Sequence, residues 1–256
     1  MPSAAPLHPL RAVVVIPTYD EATTIEAVIG QVRLAAPRAD VLVVDGASPD
    51  GTADIVDRLA LDDTAVSVLR RPSKLGLGDA YRAGVAHALA GGYQVVVEMD
   101  ADLSHDPRDV PGLILAVARG ADVAIGSRYV GSGSSAGWSL SRRLLSRAGN
   151  RYASGLLRLH VRDATSGFRA YSARALRAID ATATQSLGYA FQIEMTHLAH
   201  RRRLDIVEYP ITFRARSDGE SKMSAHIALE ALSLVTRWAW RDRVHVPRPR
   251  QVAVQR

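Results

Sequence analysis

Short apolar runs rich in β-branched residues alternate, over the first half of the chain, with segments in which apolar positions recur every three or four residues. The runs are AVVVIP (12 to 17), DVLVVD (40 to 45), AVSVLR (65 to 70), QVVVEMD (94 to 100) and DVAIGS (122 to 127). Between them the helical spacing predicts helices over about 21 to 35, 52 to 61, 77 to 90 and 108 to 118. Hydrophobicity within each run is continuous rather than alternating, so both faces of each strand are expected to be buried, as in a mostly parallel sheet covered by helices. The pattern predicts a doubly wound α/β domain.

In such a sheet ligands gather beyond the carboxyl ends of the strands. Those positions are polar in all five cases: PTYDE (17 to 21), DGASPDGT (45 to 52), RRPSKLGLG (70 to 78), DADLSH (100 to 105) and GSRY (126 to 129). Singly, each reads as a turn with a helix cap; Asp106 before Pro107, for example, is an N-cap with proline at N1. The fourth carries more. Asp100 and Asp102 stand one residue apart where a buried strand becomes a loop, and two like charges there cost stability unless a cation compensates. Carboxylates completed by substrate phosphates and water are the ligand set that Mg2+ or Mn2+ prefers. The chain has no G-x-x-x-x-G-K-[ST], and GLGDAYRAG carries Tyr81 where G-x-G-x-x-G needs its third glycine, so a P-loop NTPase and a dinucleotide fold are both disfavoured.

A chain of 256 residues, 47% hydrophobic, has material for a sizeable core and is expected to form one main domain. Without cysteine it has no disulfide framework and no thiolate metal site, which fits a reducing compartment. The start MPSAAPLHPLR lacks the pattern of a secretory signal, and no stretch approaches the roughly 18 apolar residues of a spanning helix. The expectation is a chain neither secreted by that route nor crossing a membrane by itself. Its net charge of +6 conceals a division: residues 1 to 127 hold 10 Lys and Arg against 17 Asp and Glu, a balance of −7, and residues 128 to 256 hold 22 against 9, a balance of +13. A basic half suits nucleic acid, anionic lipid or a phosphorylated substrate, and charge alone does not choose. A non-catalytic basic module that binds lipid or nucleic acid is the reading of a different class. Against it stand the acidic first half and the lack of an aromatic-rich basic face for stacking bases.

In GWSLSRRLLSRAGNRYASGLLRL (137 to 159), Arg143, Arg147 and Arg151 repeat every four residues, with Leu140, Leu144, Ala148 and Tyr152 one step away. This predicts a basic amphipathic helix, with a break near Gly149 or Gly155. It reads either as a surface helix packed on the sheet or as an interfacial helix at a membrane. In MSAHIALEALSLVTRWAWR (223 to 241), His226, Glu230, Ser233, Arg237 and Arg241 form a narrow polar stripe on an otherwise apolar helix with Trp238 and Trp240. Its wide apolar face must pack against the domain, a partner or a lipid interface. The tail VHVPRPRQVAVQR is expected to be loose.

The segments VVVIPTYDEATTI, VLVVDGASPDGTADIV, RRPSKLGLGDAYRAG, VVEMDADLSHDP, IGSRYVGSG, RDATSGFRAYS and DGESKM follow one another across about residues 12 to 225. In these the chain resembles glycosyltransferase family 2 with the A-type nucleotide-sugar fold, and within it the polyprenol (dolichol) phosphate mannose synthases. The resemblance implies that Pro17, Tyr19 and Glu21 line a base and ribose pocket with Asp45, that Asp50 and Lys74 lie at the nucleotide side, and that Gly78 allows close approach. It implies that Asp100, Ala101 and Asp102 meet the donor, the two aspartates holding Mg2+ or Mn2+ on its diphosphate. Ser127 and Arg128 would sit near the sugar and acceptor phosphate, and Arg169 with Ser166 and Lys222 would close over the phosphates. Asp102, Arg128, Arg169 and Lys222 are thus the implied catalytic set. The chain departs from the family pattern twice: Gly46 follows Asp45 in place of a second acidic residue, and Ser104 stands where a better third metal ligand is common.

The implied reaction moves mannose from GDP-mannose to a polyprenyl phosphate with inversion, releasing GDP, at the cytoplasmic face of a membrane. It leaves room for a membrane-embedded partner as anchor. A UDP-sugar donor such as UDP-glucose stays open, because base and sugar rest on resemblance alone. A phosphate monoester acceptor is largely ionised near neutral pH, so no strong general base is required. This agrees with the absence of a base dyad; His105, nearest the aspartates, reads more readily as a cap or packing group. The implied organisation is a flexible start (1 to 10), a catalytic domain (11 to 222) with a nucleotide-sugar half (11 to 127) and an acceptor half (128 to 222), an amphipathic helix (223 to 243) and a flexible tail (244 to 256).

Overall fold

The computed structural model describes residues 10–188, 190–215 and 225–244, with the side chains of 231–243 in the last segment. Its strands are β1 (Ala12–Thr18), β2 (Ala39–Asp45), β3 (Val66–Arg70), β4 (Val95–Glu98), β5 (Val123–Ser127), β6 (Ser134–Ala136), β7 (Arg169–Ser172), β8 (Ile206–Pro210) and β9 (Thr212–Arg214). The helices are α1 (Ile25–Ala35), α2 (Thr52–Asp62), α3 (Leu77–Ala90), α4 (Val110–Ala118), α5 (Leu140–Leu156), α6 (Ala173–Ala178), α7 (Ala190–Arg201) and α8 (Ala225–Val244). Seven strands form one sheet in the order β3-β2-β1-β4-β7-β5-β8, and β6 pairs with β9 in a separate ribbon.

Successive residues of the central strands enter different cores, which is why their hydrophobicity is continuous. Val13, Val15, Leu42 and Val44 pack with Tyr81 and Val85 of α3, Phe191 and Met195 of α7, and Trp238 of α8. Val14, Ile16, Val41 and Val43 pack with Ile25 and Val28 of α1, Val56 of α2 and Leu113 of α4. The five expected strands and four expected helices of the first half are all present, within a few residues of their expected bounds.

Among the described residues β6, β8, β9, α6 and α7 were not expected from the sequence, and three further features differ from the sequence reading. Strand β7 lies antiparallel between β4 and β5, with Arg169 opposite Glu98; four residues reading RAYS carry no strand signal of their own. Helix α1 starts at Ile25 rather than near 21, because the N–H groups of Asp20, Glu21 and Ala22 donate to Ser48, Thr52 and Asp50 and hold that stretch as a loop. Helix α5 runs unbroken through Gly149 and Gly155, with Asn150 and Ala153 buried, so the expected break is absent. Packing offsets the roughly 1 kcal/mol that an interior glycine costs a helix.

Helix α8 lies against α5 and α7 and divides its tryptophans, Trp238 buried in the core and Trp240 69% exposed. The expected loose ends, Lys222, and the side chains of His226 and Glu230 lie outside the described residues. Asp20, Ala47 and Leu103 take left-handed φ values of 59, 60 and 59°, each in a loop just past the end of β1, β2 or β4. Such turns fold the chain back over the carboxyl edge of the sheet.

Candidate active site

The loops after β1 and β2 are fastened to each other by two aspartates. Asp45, 2% exposed, accepts hydrogen bonds from Thr18 Oγ1 at 2.9 Å, from the Ser48 N–H at 2.9 Å and from Ser48 Oγ at 2.5 Å. Asp50 accepts from the Ala22 N–H at 2.9 Å and from both the N–H and the hydroxyl of Thr52. Both carboxylates, Asp45 buried and Asp50 exposed, therefore hold in place the loops at the expected nucleotide edge. Pro17, Tyr19 and Glu21 stay half-buried on the same edge, and Lys74 Nζ stands 3.7 Å from the centre of the Tyr19 ring. At Gly78 a Cβ would lie 2.2 Å from the Ser186 carbonyl oxygen and 3.1 Å from Phe191, so glycine there permits a close approach of the protein's own 184–188 loop.

Beyond β4 the left-handed turn at Leu103 brings the Ser104 N–H within 3.0 Å of Asp102 Oδ1. The hydroxyl of Tyr81, buried beneath, donates to Asp100 Oδ1 at 3.4 Å. The Asp100 N–H points at Nδ1 of His105. That imidazole is buried between Phe168 and Phe213, and burial, with Arg128 nearby, lowers its pKa. An Nδ1 that accepts from a main-chain N–H, on a ring held neutral, makes His105 a packing group and cap. Ala101 turns its side chain into the core beside α1 and α4. Glu98, fully buried behind the pair, is held mainly by desolvation at a pKa of about 7 and accepts from Gln192 Nε2 at 2.9 Å.

The donor set at this edge is all oxygen: the carboxylates of Asp100 and Asp102, and the buried Ser104 Oγ, which lacks a hydrogen-bond partner. Among the described residues no three His, Cys, Asp or Glu side chains converge as a metal cage. Two carboxylates without a full cage suit a hard divalent ion that keeps water and substrate phosphate in its remaining positions.

Across the edge, Arg128 is locked into the protein. Its N–H and Nε donate to Asp163 Oδ2 at 3.0 and 2.7 Å, and its Nη2 donates to Asp163 Oδ1 at 2.6 Å and to Thr165 Oγ1 at 2.7 Å. The rings of Tyr129, Trp138 and Phe213 surround its guanidinium at 5.3 to 5.7 Å. Desolvation opposes both charges, yet each partner keeps the other ionised, Asp163 below the usual carboxylate range and Arg128 above its own.

The other expected phosphate ligands sit deeper. Ser127 and Ser166 are buried and turn their hydroxyls to the N–H groups of Tyr129 and Phe168. Arg169, 0% exposed, donates to the carbonyls of Ala164, Ser166 and Gln192 and to Thr196 Oγ1. Its expected place over the phosphates is thereby corrected: a fully buried guanidinium with those partners braces the 164–166 loop from below. Exposed cations here include Arg142, 4.3 Å over the Trp138 ring, Arg147, 5.6 Å from the Tyr129 ring, and Arg214, whose main-chain N–H donates to the Ser104 carbonyl. Sequence reasoning passed over Arg142, Asp163 and Thr165. The signal available for Asp163 was its place as the one carboxylate in RDATSGFRAYS, among the segments that carry the resemblance.

The first turns of α5 project outward, with Leu140, Leu144, Leu145 and Tyr152 exposed beside Arg143, Arg147 and Arg151. Among the described residues no helix is long and apolar enough to cross a membrane.

A sheet of this order with an acidic pair at its carboxyl edge has the architecture of the A-type glycosyltransferases. The chain belongs to glycosyl transferase family 2, whose model matches residues 13–180. It is 50% identical over 229 residues to an undecaprenyl-phosphate mannosyltransferase of Micrococcus luteus, covering 90% of this chain and 94% of that protein. It is 46% identical over 235 residues to a polyprenol monophosphomannose synthase of Mycolicibacterium smegmatis, covering 91% and 89%. Among solved structures it resembles the glucosyl-3-phosphoglycerate synthase of Mycobacterium tuberculosis in complex with UDP, at a TM-score of 0.64 and 20% identity over 90% of this chain and 80% of that one. A complex of the same enzyme with Mn2+, UDP and glucosyl-3-phosphoglycerate gives 0.60 at 22% identity over 93% and 81%. These structural likenesses establish a common fold.

Proposed function

We propose that the protein transfers mannose from GDP-mannose to a polyprenyl phosphate with inversion, giving polyprenyl phosphate mannose and GDP. The observation that carries this reading is half identity, over nine-tenths of the chain, to a protein named an undecaprenyl-phosphate mannosyltransferase, joined to the aspartate pair at the carboxyl edge. The bond between the anomeric carbon and the diphosphate oxygen breaks as an acceptor phosphate oxygen attacks from the opposite side. That oxygen arrives ionised, so the site needs no strong base, in keeping with a neutral, buried His105.

Asp100 and Asp102 hold Mg2+ or Mn2+. When bound, the ion neutralises charge that develops on the departing diphosphate. Tyr19 and Lys74 flank the nucleotide, with Pro17 and Glu21 beside them and Asp45 and Asp50 keeping the loops in place. Arg128, fixed by Asp163, meets the acceptor phosphate, and Arg142 meets the same phosphate from α5. In this reading residues 11 to 127 serve the donor and 128 to 222 the acceptor.

The outward face of α5 rests on an anionic membrane surface, where the lipid acceptor is found. Apolar side chains flanked by arginines are what such an interface retains, and Trp240 of α8 suits the same depth.

Purified protein mixed with polyprenyl phosphate and a panel of GDP- and UDP-sugars tests the reading. The expected result is a mannosyl lipid from GDP-mannose alone, lost in EDTA or on Asp102→Asn, with Mg2+ or Mn2+ restoring the wild type. Transfer from a UDP-sugar, or full activity in the chelator, overturns the donor or the metal role respectively.

A further inference from the structure

Helix α5 carries one buried polar side chain, Asn150, 2% exposed beside Ala153. A buried amide in mid-helix costs stability unless every polar atom is met, and here they are met by Thr165 outside the helix and by one carbonyl within it. Asn150 Oδ1 accepts from the Thr165 N–H at 3.3 Å, while Nδ2 donates to Thr165 Oγ1 and to the Ser146 carbonyl, each at 3.0 Å. The amide orientation is fixed chemically, because a main-chain N–H can only donate and so must face the oxygen.

Thr165 is in turn the residue that Arg128 touches. Its hydroxyl accepts from Arg128 Nη2 at 2.7 Å and donates its proton to Asp163 Oδ1 at 3.2 Å. One threonine thus joins the helix amide to the buried ion pair. A second tie lies one turn away on the same side of α5, where the Tyr129 hydroxyl donates to Ser146 Oγ at 2.6 Å.

We propose that Asn150 is a positioning residue: its two-way clamp with Thr165 fixes the seat of Arg128 and registers that seat against α5. This rests on the acceptor-phosphate role given to Arg128 above. The clamp makes the helix with the exposed leucines and arginines one rigid body with the group that meets the acceptor phosphate. Loss of the clamp lets Arg128 turn with Asp163 while leaving the loops after β1 and β2 untouched. Acceptor recognition then suffers and donor binding does not.

The test uses the full chain, a short water-soluble prenyl phosphate as acceptor, GDP-mannose as donor, and calorimetric binding of GDP with Mn2+ as a second readout. Asn150→Ala and Thr165→Val are expected to raise the acceptor KM about tenfold, the effect of one unmet buried polar contact, with GDP affinity within about twofold of wild type. Thr165→Ser, which keeps the N–H and the hydroxyl, is expected to behave as wild type. Should Asn150→Ala fail to fold, the Thr165→Val and Thr165→Ser pair decides, since both sit in a loop. An unchanged acceptor KM, or equal loss of acceptor and GDP binding, overturns the clamp. If wild type neither transfers to nor binds any prenyl phosphate, the acceptor reading fails first and the clamp falls with it.

Discussion

Arg128 and Asp163 form a buried ion pair in which one carboxylate takes three hydrogen bonds from one arginine, with Arg128 8% and Asp163 0% exposed. The arginine is thereby held at a fixed angle, and the choice of rotamer is removed from the binding step.

Removing the acid leaves an uncompensated buried cation. Asp163→Ala is expected to destabilise the protein by about 3 to 5 kcal/mol, read as a fall in the urea midpoint. A variant that loses transfer at unchanged stability would show instead that Asp163 acts on substrate.

Arg169 gives the complementary case. Arg169→Met strips donors from the carbonyls of Ala164, Ser166 and Gln192, so at least about 3 kcal/mol of unfolding free energy should be lost. A phosphate ligand at the surface would leave stability nearly unchanged while kcat/KM fell, and equilibrium unfolding separates the two outcomes.

At the membrane, reversing Arg143, Arg147 and Arg151 to Glu should release the protein from acidic liposomes in a flotation assay, each arginine contributing about 1 kcal/mol. Salt should weaken wild-type binding in the same way, by screening. Transfer to a short soluble acceptor should survive the triple change better than transfer to the long lipid. Equal loss of both would place the stripe in the acceptor pocket.

His197 supplies a pH dependence. It is stacked on Trp238 and faces Asp242 of α8 at 3.2 Å, with Arg201 and His200 of α7 and Arg241 of α8 around it. Desolvation lowers its pKa despite Asp242, so the unfolded chain takes up its proton at a higher pH than the native one. Stability is therefore expected to fall as pH drops below the unfolded value of about 6.5. His197→Phe, which keeps the ring stack, should flatten the slope of melting temperature against pH between 7 and 5; an unchanged slope would assign the effect to other groups.

The alternation of apolar runs and helical spacing was enough to determine the five strands of the first half, their buried faces and the edge at which polar loops collect, because those follow from periodicity and local propensity. Asp100 and Asp102 were legible for the same reason, as charges placed where a buried strand ends. Strand β7 was not legible: four residues enter an existing sheet antiparallel, and only the gap between β4 and β5 makes them a strand. Nor could sequence show that Arg169 points inward while Arg142 remains on the surface, since both are arginines in a basic half and burial is decided by which carbonyls lie within reach. Asp45, Asp50 and Gly78 were marked at the right edge, but their contacts to Thr18, Ala22 and Ser186 come from segments that only the fold brings together. Asp163, Thr165 and Asn150 lie 13 to 15 residues apart at most in the chain, yet their joint meaning depends on Arg128, 35 residues from Asp163. The sequence specified the elements and the chemistry available at their ends, and tertiary packing decided which charges face one another, because hydrogen bonding and desolvation act through space and not along the chain.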